Sequence, residues 1–311
     1  MEHAISGADG FRLAGAPVTF GVWERTVDRP DLVARERLLE TAGRLGYRGL
    51  ELGPPGYLGT DARTVADALR GHDLELAGAF APIHLADAAA FAADLDELDR
   101  TLDVLAADGG VAVLADAETP VREAAAGQPD ALERTALDDA AFDAALERLE
   151  SAVARCRAAG VRPVFHPHAG TYVETPAEID RLLAGSDVEL CLDSGHLAIG
   201  GGDPVALGRR CAGRIAHLHL KDVDGAMLER LRAGAIEMMA AWEAGLFCPL
   251  GAGIVDVEGF LAATTADGFD GWLVLEQDRV AVRDGDLDGV AAVEERNLEA
   301  VRRALARAAT A

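Results

Sequence analysis

Short runs rich in Val, Ile and Leu alternate along the chain with longer stretches in which apolar positions recur every three to four residues. That alternation predicts strand-then-helix units and a parallel sheet buried on both faces. The strand candidates are residues 17–23, 49–52, 74–80, 111–115, 161–165, 188–192, 215–220 and 272–276. Amphipathic helices are expected over 31–45, 88–107, 138–159 and 176–183, with a last one over 289–308. Asp31 and the pair Thr175–Pro176 supply N-cap and first-turn chemistry. Gly46, Gly160, Gly213 and Gly268 stand just before strands, where a glycine ends the preceding helix.

Eight strands and eight helices fit an α/β chain closed as a single (β/α)₈ barrel, the TIM-barrel architecture, better than an open doubly wound sheet. An open sheet of this length calls for a Gly-rich dinucleotide turn after the first strand, and Val22-Trp23-Glu24 stands there instead. The expected organisation is one domain over 1–311, with an N-terminal extension over 1–15. Two connections exceed a minimal loop. Residues 118–137 carry Pro and Gly punctuation, and 224–250 hold a helical insertion after strand seven, with a Met-rich face around 227–244. Both follow strands, so both overhang the end of the barrel where active sites form. Met238 and Met239 read as rim packing rather than as part of a cofactor box.

Composition sharpens this. The 311 residues suit one large barrel, and half of them are hydrophobic. No run approaches the ~18 apolar residues of a membrane span, and the first fifteen residues lack a secretory pattern. A cytoplasmic protein is expected. The net charge of −24, from 53 acidic against 29 basic residues, opposes a phosphate backbone and argues against nucleic acid. Cys156, Cys191, Cys211 and Cys248 are widely spaced and read as buried thiols in a reducing compartment. Of the 29 basic residues only Lys221 is a lysine, which marks a place where a compact ammonium is wanted rather than a planar fork.

The strand ends carry the chemistry. At or just past them stand Glu24, Glu51, His84, Asp116, His166 with His168, Asp193 with His196, His217 with His219 and Lys221, and Glu276 with Asp278. Six of the eight histidines fall in this set, which scattered surface histidines would not do. Period-two geometry puts His166 and His168 on one face, and likewise His217, His219 and Lys221. His166, Asp193, His219 and Glu276 come from strands five to eight, neighbours roughly 5 Å apart, so the four can converge on one divalent metal. Imidazole with carboxylate suits Mn²⁺ or Co²⁺, with Fe²⁺, Ni²⁺, Zn²⁺ and Mg²⁺ as alternatives, better than Ca²⁺.

These segments also resemble a known family. APVTFGVWE at 16–24, LELGPPGYL at 50–58, FHPHAGTYVET at 165–175 and LDSGH at 192–196 are similar to the sugar-phosphate isomerase/epimerase superfamily of xylose-isomerase-like barrels. GGDP at 201–204, IAHLHLKDV at 215–223, PLG at 249–251 and GWLVLEQD at 271–278 extend the likeness over most of the chain. Within the superfamily the segments look most like inosose dehydratases. The resemblance implies that Asp193, His219 and Glu276 are metal ligands. It departs at strand five, where the isomerases carry a carboxylate and this chain has His166-Pro167-His168. His166 is assigned as the fourth ligand by register, with His168 or Glu174 as alternatives.

The resemblance implies a metal-dependent carbon–oxygen lyase removing water from a cyclic polyhydroxy ketone such as keto-inositol. A base must take the α-proton and an acid must assist the leaving hydroxyl. His168, Glu51 and Glu276 are the base candidates, while His196 and Lys221 are placed to donate to the leaving oxygen or to hold substrate. Glu24, His84 and His217 complete the expected substrate contacts. The alternatives are a keto-sugar epimerase or isomerase, a 3-keto-glycoside eliminase, an endonuclease-like phosphodiesterase, or a non-catalytic polyol-binding barrel. The partner expected is a small polyol or keto-sugar, with no nucleic acid, no membrane, and homo-oligomerisation left open.

Overall fold

The computed structural model of the protein describes residues 10–266 and 268–308. Eight parallel strands close a barrel: β1 Arg12–Gly15, β2 Gly49–Glu51, β3 Glu75–Ile83, β4 Val111–Asp116, β5 Arg162–Phe165, β6 Glu189–Asp193, β7 Ile215–Leu220 and β8 Trp272–Leu275. Strands follow one another around the barrel in chain order, and β1 pairs with both β2 and β8. Long helices over Arg35–Leu45, Ala88–Asp108, Asp139–Ala158 and Leu287–Ala308 pack outside. No helix among the described residues is long and apolar enough to cross a membrane.

Alternation decides what each strand residue does. Leu190 and Leu192 of β6, Leu218 and Leu220 of β7, and Leu273 and Leu275 of β8 join the apolar layer under the helices. Between them, Cys191, Val274 and Trp272 fill the inside of the barrel, as do Val164 of β5 and Ala14 of β1. This is why the strands read as nearly unbroken hydrophobic runs. Continuing the inward row past the last apolar residue gives His166, Asp193, His219 and Glu276. The polar site therefore sits on top of an apolar plug.

The first strand lies earlier than the sequence pattern predicts. Residues 17–23 are not a strand: Pro17–Phe20 is a 3₁₀ turn ended by Gly21 in the left-handed region, and Arg12–Gly15 forms the ladder with β2 and β8. A proline cannot donate to a ladder and presets φ for a turn, which the alternation of Val18, Phe20 and Val22 masks. The expected extension over 1–15 thus contains β1, and its residues 1–9 lie outside the described residues. Asp31 does not cap the first helix, which begins after Ala34 with no side-chain cap; Asp31 instead bonds Arg29. Thr175 closes a full capping box with Glu178 over Pro176–Gly185. Gly46, Gly160 and Gly268 take positive φ as expected, whereas Gly213 sits inside a 3₁₀ turn over Ala212–Arg214.

Both long connections carry short helices. Pro120–Ala125 and Pro129–Thr135 occupy the one after β4, and Gly225–Arg232 with Met238–Glu243 the one after β7. The latter insertion is closed by a two-residue antiparallel ribbon, Asp222–Val223 against Phe247–Cys248. Asp222 anchors it: its buried carboxylate accepts the backbone N–H groups of Val223, Gly251, Gly253 and Val255.

Candidate active site

A cavity of about 500 Å³ opens at the C-terminal end of the barrel. Its floor carries Glu51, His166, His168, His196, His219, Lys221, Glu276 and Asp278. Its walls are apolar: Phe80, Trp23, Trp242, Phe247 and the expected rim methionines Met238 and Met239. Trp23 and Trp242 lie 4.8 Å apart between ring centroids, joining the loop after β1 to the insertion after β7. Arg25 reaches across to Glu118 and Glu123 beyond β4. Burial, and then the neighbouring Glu123, push Glu118 up to about 8.

Asp193 is built by its helix. Its Oδ1 caps Ser194–Ile199, accepting the N–H of Gly195 (2.8 Å) and of His196 (2.9 Å), which leaves Oδ2 to face the site. Around Oδ2 stand Lys221 Nζ at 2.8 Å, His219 Nδ1 at 3.8 Å and His166 Nε2 at 3.9 Å. Asp193 is the register partner of His219 across β6 and β7, and Val274 is that of His219 across β7 and β8, so Glu276 stands one pleat higher. Glu276 Oε2 lies 2.9 Å from His219 Nδ1 and 2.5 Å from Lys221 Nζ. Lys221 is 3 % exposed, and a Cβ on Gly195 would meet its own Cβ at 2.6 Å. The glycine of the LDSGH segment is therefore required for that approach. Ser194 Oγ accepts the Lys221 N–H and donates to its carbonyl, fixing the end of β7.

The charges are set by these neighbours. Burial opposes the charge on Lys221, but Asp193, Asp278 and Glu276 outweigh it and hold its pKa well above that of an ordinary lysine. Burial likewise opposes ionisation of Glu276, yet His219 and Lys221 bring it down to about 2. Asp278 is raised to about 7, chiefly by burial. Burial first, and then the surrounding positive groups, hold His166 and His196 well below the usual imidazole range, so both stand neutral. Glu51 faces two imidazoles, with His217 Nε2 at 2.9 Å and His219 Nε2 at 3.1 Å from its Oε1.

The donor set fits a divalent cation. His166, Asp193 and His219 bring one donor atom each within 4.8 Å of one another, and so do Glu51, His219 and Glu276. His219 Nδ1 and Glu276 Oε2 are buried and lie 2.9 Å apart, with Lys221 Nζ beside the carboxylate. Buried carboxylates need positive partners, a need that Lys221 meets and that a divalent cation would meet as well. His166, His168 and His196 form a further cluster alongside.

Most of the strand-end residues expected from sequence meet here, but not all. Glu24 and His84 line the rim, where His84 Nδ1 is tied to Asp94 at 2.9 Å. His217, expected to touch substrate, is fully buried beneath Glu51 and does not line the cavity. Asp116 splints loops instead, accepting the N–H of Leu85 and of Tyr172. Glu174, the alternative ligand, spends both oxygens on the N–H groups of Gly127 and Gly170. Sequence reasoning missed the aromatic roof and the Asp222 anchor. Trp23 was in view only as part of a motif, and nothing in the sequence pairs it with Trp242.

Comparison with known proteins agrees with the barrel fold. The model of the xylose isomerase-like TIM barrels matches residues 39–309. The rhizopine catabolism protein MocC of Rhizobium meliloti is 36% identical over 250 residues, 78% of this chain and 74% of that protein. The inosose dehydratase of Geobacillus kaustophilus (strain HTA426) is 29% identical over 283 residues, 90% of each chain. Among solved structures, an L-ribulose 3-epimerase superposes with a TM-score of 0.69 at 17% identity over 96% of both chains. A probable 3-DHS dehydratase from Bacillus anthracis gives 0.66 at 15% identity, over 93% of this chain and 99% of that one.

Proposed function

The chain belongs to the xylose isomerase-like TIM barrels, and we propose that it is the metal-dependent member that removes water from a cyclic polyhydroxy ketone such as an inosose. It is an enzyme of the sugar-modifying kind, with inosose dehydratases among its relatives. The observation that carries the dehydratase reading is the pair of histidines, His166 and His168, where related isomerases hold a carboxylate after β5. His166, Asp193, His219 and Glu276 would hold the ion, Mn²⁺ or Co²⁺ by donor type. When bound, it supplies a Lewis acid for a ketone oxygen and the neighbouring hydroxyl.

The protein's own groups account for the proton. His168 Nδ1–H donates to the Ala169 carbonyl at 2.8 Å, which leaves Nε2 with its lone pair free. Burial brings His168 down to about 3, so it stands unprotonated. Its ring lies 3.8 Å from that of His196, which holds it in place. In the proposed step His168 takes the proton from the carbon beside the ketone, the electron pair forms a carbon–carbon double bond, and the β-carbon–oxygen bond breaks. The same imidazolium then gives its proton to the departing hydroxide, and water leaves. One base serves both transfers, which suits elimination and not the two-sided transfer of an isomerase. Carboxyl groups at the rim, Glu24 and Glu123 among them, favour a neutral polyol over a nucleic acid.

The test is a panel of inososes and keto-sugars offered to the Mn²⁺- or Co²⁺-loaded protein, watching for enone absorbance and loss of water. Epimers interconverting without release of water would overturn the reading.

A further inference from the structure

Glu51 lies on β2, and His217 and His219 lie on β7, so their contact crosses the interior of the barrel. A carboxylate only accepts, so both imidazoles donate their Nε2–H to the same Oε1. With Nε2 of His219 spent on Glu51, Nδ1 is the nitrogen left to take an ion. Nδ1 is the nitrogen that faces Asp193 Oδ2 at 3.8 Å and Glu276 Oε2 at 2.9 Å. Glu51 is 3 % exposed, and its two imidazole contacts hold the carboxylate in place.

We propose that Glu51 is a positioning residue for the cation site rather than a proton-transfer residue. Its carboxylate clamps His217 and His219 by Nε2 and presents Nδ1 of His219 to the ion. The inference rests on the cation site of the preceding reading. His217 serves the clamp as the second donor, which explains a wholly buried imidazole that no substrate can reach. The arrangement follows a general pattern in which a ligating histidine gives its other N–H to a carboxylate, and loss of that partner weakens metal affinity about 10- to 100-fold. A proton-transfer base would leave ion affinity unchanged when neutralised.

The experiment titrates Co²⁺ or Mn²⁺ into the chelator-stripped full chain, wild type and Glu51→Gln. Thermal melting of each ion-free protein is recorded alongside. The expected result is a Kd weakened about 10- to 100-fold in the variant while its far-ultraviolet spectrum stays that of a folded barrel. Equal Kd values would overturn the proposal alone; a wild type that binds neither ion would overturn it together with the cation site. Independently of how the variant folds, ¹⁵N imidazole spectra of the ion-free wild type should show His219 protonated at Nε2. A proton on Nδ1 with Nε2 bare would overturn the clamp.

Discussion

Replacing Lys221 by Met removes the one ammonium among three buried carboxylates. Its Nζ lies 2.8 Å from Asp193 Oδ2, 2.5 Å from Glu276 Oε2 and 3.5 Å from Asp278 Oδ2. At an effective dielectric near 20, each contact is worth about 5–7 kcal/mol before solvation is counted. Burying the ammonium costs several kcal/mol in return, and the net effect of stripping one partner from a buried ion pair is about 3–5 kcal/mol. For a chain of this size each kcal/mol moves Tm by about 2 °C, so Lys221→Met should melt roughly 5–10 °C below wild type in chelator at neutral pH. Added Mn²⁺ should narrow that gap, because the ion binds only the folded state and the freed carboxylates welcome it. Differential scanning fluorimetry with chelator and with Mn²⁺ makes the comparison. Equal melting in chelator would refute the reasoning, since no counter-charge would then have been lost. Lys221→Arg keeps the charge but must fit a fork against Gly195, so turnover should fall much further than for a surface Lys→Arg change.

Asp193→Asn and Glu276→Gln should each lose the bound ion while keeping the far-ultraviolet signature of the barrel; full occupancy in both, by elemental analysis, would remove the cation site. His168→Gln should retain the ion and lose elimination on the order of 10²–10⁴-fold in kcat; loss of the ion instead would make His168 a ligand. Glu174 is raised to about 7, mainly by burial, with Arg122 and the backbone N–H donors pulling down and Glu178 pushing up. Its folded pKa exceeds its unfolded one, so its contribution is full below about 4.5 and is lost as pH rises towards 7. Across that window wild type should lose stability relative to Glu174→Gln, by roughly 3 kcal/mol at most, in denaturant melts; parallel profiles would contradict it.

Much of this is legible in the sequence because the strands alternate strictly. His217 and His219 share a parity with Lys221, and Trp272 with Val274 and Glu276, so the inward row could be followed to the site from spacing alone. The first strand was not legible, because four residues buried on both sides by pairing carry too short a pattern to outweigh the neighbouring VTFGVW. Partner choice was not legible either. Glu51 was visible as a strand-end carboxylate, but only the closed barrel brings it to His217 and His219. Asp222 read as one more acid after a strand, and its loop of backbone donors is a property of the fold.

Closure of the barrel has a consequence for how the protein acquires its site. The seam is made by β1 lying between β2 and β8, with Arg12 opposite Trp272, partners from opposite ends of the chain. Such long-range pairing comes late in folding, because the entropy of closing the intervening chain must be met first. Glu51 and His219, 168 residues apart, lie on either side of that seam. An arc of six or seven strands can hold Asp193 next to His219, but it has nothing to hold the histidine's Nε2 until β1 and β8 zip together. Tight ion uptake during refolding should therefore lag the gain of helical signal and coincide with the burial of Trp272, so that a spectroscopic cation such as Co²⁺ times the last stitch of the fold.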